Sequence, residues 1–107
     1  MCEKYNGWSN YATWCVKSWI DNDETLHRRI NRLGKKCYNN ARAGKYLSRE
    51  EETIFDFQYI LKHYIEKLNP LYKASMFADL LGWALEEVNW YELSKSIIID
   101  NITENSK

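Results

Sequence analysis

The sequence is poor in the residues that break helices and in the residues that bind metals. It has one proline, Pro70, and four glycines in 107 residues. So little punctuation excludes a turn-rich β-sandwich or barrel and points to helices. Its two histidines, His27 and His63, are far apart, and no C-x-x-C or H-x-x-x-H spacing occurs, so no metal site is expected. Three cysteines, Cys2, Cys15 and Cys37, make an odd count without close pairing, which argues against a disulfide framework. No apolar run approaches the roughly 18 residues of a membrane span, and "MCEKYNGW" lacks the apolar stretch of a signal peptide. The expectation is a soluble, cytoplasmic protein. Neither G-x-x-x-x-G-K-[ST] nor G-x-G-x-x-G is present, so no nucleotide cradle and no cofactor is expected.

What is there is aromatic residues and segregated charge. Apolar residues are 45% of the chain and aromatic residues 15%, with five Trp and eight Tyr. That supports one packed domain, residues 1–107, with more aromatic side chain than so small a core hides completely. The zero net charge conceals two opposite halves. Residues 1–49 carry ten Lys/Arg against four Asp/Glu, a net of +6; residues 50–107 carry five against eleven, a net of −6. From Arg28 to Arg49 there are eight Lys/Arg and no acid. Such asymmetry suggests a charged partner. The plainer reading is pairing between this basic segment and the acidic half.

Periodicity predicts four or five helices. Ser9 or Asn10 caps a first helix ending near Ile20, with Gly7 in the turn before it. Its apolar stripe is Tyr11, Trp14, Cys15, Ser18 and Trp19, which places Trp14 in the core, where truncation to Ala would cost about 3–5 kcal/mol. Asn22 or Asp23 opens a second helix with the stripe Leu26, Ile30, Leu33 and Cys37, its other faces basic, ending at a Gly44 cap. Ser48-Arg49-Glu50-Glu51 is a capping box for a third helix, striped by Ile54, Phe57, Leu61, Tyr64, Ile65 and Leu68 and stopped by Asn69-Pro70. A fourth runs from about Ala74 to Val88, with Phe77, Leu80, Leu81, Ala84, Leu85 and Val88 inward. Asn89-Trp90-Tyr91-Glu92 repeats the capping logic and opens a fifth with Leu93, Ile97 and Ile98 inward, although its β-branched run also suits a strand. The loop 1–9 and tail 102–107 are expected to be partly flexible.

No residue set supports a reaction. Glu50–Glu52 and Glu86–Glu87 read as solvated helix surface rather than acid–base pairs. Cys37, flanked by Lys35 and Lys36, could have a lowered pKa, but its place on an apolar stripe reads as packing. The protein is therefore read as a non-enzyme.

Two segments, "YNGWSNYATWCVKSWIDND" (5–23) and "FADLLGWALEEVNWYELSKSIIID" (77–100), are distinctive in fixing several tryptophans, a glycine and polar caps at set spacings. They resemble a family of short phage and mobile-element proteins that open with N-G-W-[ST]-N-x-x-T-W and close with F-A-D-L-L…E-V-N-W. Members often have Glu where Ala12 stands, which would complete a capping box with Ser9; this chain lacks it. The resemblance implies a small binding protein without catalytic residues. Its expected task is inhibition of a host defence protein or ribonucleoprotein complex, of the anti-CRISPR or anti-restriction type, by occupying a protein surface. The expected contact residues are Trp8, Trp19, Arg28, Arg32, Lys35 and Lys36. The alternative is a nucleic-acid-binding accessory protein that uses the basic segment 28–49.

Overall fold

The computed structural model describes residues 6–71 and 73–105 of the chain. Among them there are five helices and no strand: α1 (Tyr11–Asn22), α2 (Glu24–Asn40), α3 (Arg49–Lys67), α4 (Met76–Glu87) and α5 (Trp90–Asn105). The all-α, single-domain expectation holds.

Short polar side chains set most helix starts. Asn10, Asp23, Ser48 and Ser75 each accept a backbone N–H from three residues on, satisfying one of the donors a helix leaves open. The Ser48–Glu51 capping box is complete in both directions. Before α1 the chain turns through Asn6 and Gly7, with φ of 47° and 88°. That is left-handed backbone, which Gly adopts freely and Asn tolerates.

α3 and α5 pack together most extensively, α2 packs on both, and α1 packs mainly on α2. The core they enclose is Ile20, Ile30, Ile54, Phe57, Leu61, Val88, Trp90, Leu93, Ile97 and Ile98. α2 passes close against α5 at Gly34, where an added Cβ would lie 2.7 Å from Asn101 Nδ2 and 3.3 Å from Ile98 Cδ1. Asn101 is itself buried and donates to the Asn31 carbonyl at 3.3 Å.

Three expectations need correction. α2 stops at Asn40 with Ala41 as its cap; Gly44 lies in the following loop, donating to the Leu47 carbonyl at 2.9 Å. Arg49 ends α2 instead: its Nε and Nη2 donate to the Tyr38 carbonyl at 3.0 and 2.9 Å, and its guanidinium stacks on the Tyr38 ring. Such a cation satisfies carbonyls a helix C-terminus leaves open. α5 runs through Asn105, and residues 1–5 and 106–107 of the expected flexible loop and tail lie outside the described residues. α1 is turned the other way: its buried residues are Thr13 and Ile20, with Ala12 and Val16 packed beside them, while Tyr11 and Trp19 face solvent and Trp14 is only half-buried. α4, expected to bury one face, has no buried residue.

Candidate protein-binding surface

The first distinctive segment and the second meet in a polar clasp. Thr13, fully buried, donates its hydroxyl to Asn10 Oδ1 at 2.7 Å and accepts the Asn89 backbone N–H at 2.8 Å. Asn10 Nδ2 donates to the Glu87 carbonyl at 2.7 Å, and Asn89 Nδ2 to Ser9 Oγ at 3.1 Å. Glu92 does not close a capping box with Asn89, although its N–H donates to Asn89 Oδ1 at 3.1 Å. Its carboxylate instead takes the Ser9 N–H, at 3.0 Å. The start of α1 is thus bolted to the α4–α5 turn across some 80 residues of sequence. Asn10, not Ser9, is the cap, and it accepts from both the backbone and the hydroxyl of Thr13, so α1 starts firmly without a Glu at position 12. The motif residues Ser9, Asn10, Thr13 and Asn89 are scaffold. Trp8 is also scaffold in placement, half-buried against the core, and Trp90 is buried with its Nε1 donating to the Leu85 carbonyl at 3.2 Å.

The clasp fixes α4 beside α1 and leaves both helices showing aromatic side chains outward. Tyr11, Trp14, Cys15, Ser18 and Trp19 line a shallow depression along α1. Tyr11 also borders a second depression between α1 and α4, with Trp83, Ala84 and Glu87 on its far side. Met76, Leu80 and Trp83, spaced four and three apart, continue this surface along α4 as one row. Tyr11, Trp19, Met76, Phe77, Leu80 and Trp83 are 58–69% exposed. The four aromatic ones, at about 150–250 Å² each, expose roughly 400–650 Å² of mostly apolar side chain. The largest apolar patch on a monomer is typically about 300–600 Å². Asp79 and Glu87 rim the surface and make no ion pair among the described residues. Of the six exposed side chains, Trp19 is the one expected from sequence as a contact, whereas Phe77 and Leu80 are expected inward and are instead exposed.

The basic residues lie elsewhere. Arg28, Arg32, Lys35 and Lys36 are all exposed on α2, on the side away from Leu26, Ile30, Leu33 and Cys37. Arg28 meets Glu24 at 3.3 Å. Arg29, Arg32, Lys35, Lys36 and Arg42 make no ion pair among the described residues, so the basic segment is not neutralised by the acidic half. Among the described residues, the one bridge that joins distant parts of the chain is Lys62–Glu86, at 3.5 Å, between α3 and α4. The six contact residues expected from sequence therefore divide among a half-buried Trp8, an aromatic face holding Trp19, and a cationic face.

Among the described residues, no three His, Cys, Asp or Glu side chains converge as a metal site would need, and no helix is long and apolar enough to cross a membrane. Burial, helped by the nearby Asp56 carboxylate, pushes the Cys37 thiol above its ordinary value of 9.0. The flanking lysines point to solvent and do not activate it.

These features define a small all-α domain whose distinctive sequence builds a clasp and which shows Tyr11, Trp19, Phe77 and Trp83 outward on α1 and α4. The chain belongs to DUF7249, a family of unknown function whose model matches residues 1–105. No curated protein and no solved structure matches it.

Proposed function

We propose that the protein acts by binding another protein through the aromatic face of α1 and α4, without catalysing a reaction. The observation that supports this is the outward row Trp19, Tyr11, Trp83, Leu80 and Met76 on two helices that the clasp holds together. Aromatic residues are the usual anchors of protein interfaces, and the exposed aromatic area is more than half of the ~800 Å² that one partner gives to a standard-size complex. Asp79 and Glu87 make the rim acidic, so the partner is one that brings lysines or arginines around an apolar centre. The resemblance to phage and mobile-element proteins supports a narrower reading: the partner belongs to a host defence complex of the CRISPR or restriction type, and binding in the host cytoplasm inhibits it.

The test compares the wild type with a Trp19→Glu/Trp83→Glu variant. Both side chains are exposed, so the variant keeps the wild-type helical circular dichroism and melting temperature. Tagged proteins of both kinds are used to capture partners from a bacterial lysate, and both are assayed for protecting an infecting phage from restriction and from CRISPR interference. The expected result is a captured protein, and protection, present with wild type and lost with the variant. Equal capture and equal protection by the two would reject the surface.

A further inference from the structure

α2 carries a second face that the aromatic surface does not use. At about 100° per residue, Arg28, Arg29, Arg32, Lys35 and Lys36 fall within roughly one third of the helix circumference. All five are exposed. Arg28, Arg32 and Lys35, one turn apart in succession, frame with His27 and Asn31 a shallow trough of about 470 Å³ along the helix. Like charges three and four apart on a helix repel one another. The chain has fifteen acidic residues to offset them, yet among the described residues only Glu24, on Arg28, and Asp21, 3.7 Å from His27, come to this face, and Arg29, Arg32, Lys35 and Lys36 have no ion pair. The face stays cationic in a protein of zero net charge.

We propose that this face binds the phosphate backbone of double-stranded nucleic acid. Three features select that ligand. A duplex carries one negative charge per about 1.7 Å of axis, so a row of cations along one helix meets several phosphates at once. Phosphate contacts need only Arg, Lys and polar donors, which is what the face offers, with Asn31 and His27 beside the cations. Among the described residues of α2 the face presents no Phe, Tyr or Trp: Tyr38, the one such residue of the helix, is covered by Arg49. Single-stranded nucleic acid is held by base stacking on aromatic residues, and protein interfaces are anchored by buried aromatic or apolar groups. Both are missing here, so a phosphate backbone fits better than a single strand or an acidic protein. The contact reads no bases and serves to position the protein on a duplex.

The experiment is fluorescence anisotropy with a labelled 24-base-pair DNA duplex, the same duplex in RNA and the corresponding single strands, from 50 to 200 mM NaCl. With three to five phosphates neutralised, affinity for a duplex falls by roughly 40–500-fold over that range. The Arg28→Glu/Arg32→Glu/Lys35→Glu variant loses binding while keeping its circular dichroism, and Lys35→Ala alone lessens the logarithmic salt slope by about one. Should the triple reversal not fold, Arg28→Gln/Arg32→Gln/Lys35→Gln replaces it with the same expected loss. Trp19→Glu/Trp83→Glu binds duplex as the wild type does, which separates this face from the aromatic one. A duplex RNA that binds while duplex DNA does not narrows the source and supports the proposal. Absence of duplex binding at 50 mM salt, tighter binding of the single strands, or wild-type binding by the folded triple variant overturns it.

Discussion

Thr13 shows how one small side chain can join distant parts of a chain. It is buried without exposure, and its single oxygen serves the Asn10 cap and the Asn89 backbone N–H together. Thr13→Val keeps the shape and deletes both bonds. The expected cost is about 1–3 kcal/mol, the penalty for leaving a buried donor without a partner, measured by urea unfolding. Nothing local in the sequence announces this role, because the partner is 76 positions away. The fixed spacing of Asn10 and Thr13 is the only trace. Cys37 was half legible: its apolar register is right, but the charges beside it in sequence lie around the helix from its thiol. Because burial raises the folded-state pKa, the thiol contributes fully below the unfolded value near 9. Above it the unfolded chain releases the proton more readily, so stability falls as pH rises through 9 toward the higher folded value. Chemical denaturation from pH 8 to 10.5 should show a steeper loss for wild type than for Cys37→Ala.

At the scale of the helix, ends were more legible than faces. Caps are local hydrogen bonds made by Asn, Asp and Ser, so Asn10, Asp23 and Ser48 were readable. The faces of α3 and α5 were readable because long aliphatic residues recur there and do enter the core. α1 misleads because its larger apolar residues are aromatic and face out, while small Ala12 and Thr13 face in, where the α4–α5 turn comes close. Periodicity tells which side chains avoid water and not which ones find a neighbour within the same chain. Trp14→Ala should therefore cost well under the ~3–5 kcal/mol expected of Phe57→Ala, in the same urea titration. α4 offers a complementary test. Gly82 lies inside the helix with nothing within 4 Å of an added Cβ. Gly82→Ala should raise stability by about 0.5–1 kcal/mol, whereas a closely packed core position would resist the methyl group.

For the whole molecule, the same unequal packing orders the stability of its parts. α3 and α5 share the buried core residues Ile54, Phe57, Leu61, Leu93, Ile97 and Ile98, and the Ser94 hydroxyl donates to the Ile54 carbonyl at 2.7 Å between them. α4 has no buried residue and is held mainly at its C-terminal end, by Asn10 on the Glu87 carbonyl, Trp90 on the Leu85 carbonyl and the Lys62–Glu86 pair. Its N-terminal turn, with Met76 and Phe77, is held among the described residues by the Ser75 cap. Few buried apolar contacts and solvent-exposed backbone bonds mark segments that open at low free energy. Native-state hydrogen exchange followed by NMR should find the amides of α3 and α5 opening only with global unfolding. Those of α4 should exchange earliest among the five helices, from the Met76 end first. A partner seated on the aromatic face would slow α4 and also raise the protection of α3 and α5, because it binds only the folded chain and so opposes both local opening of α4 and global unfolding. Equal protection of α4 and α3 in the free protein would mean that α4 is held as firmly as the core, and its outward apolar row would no longer mark a weakly held, partner-stabilised element.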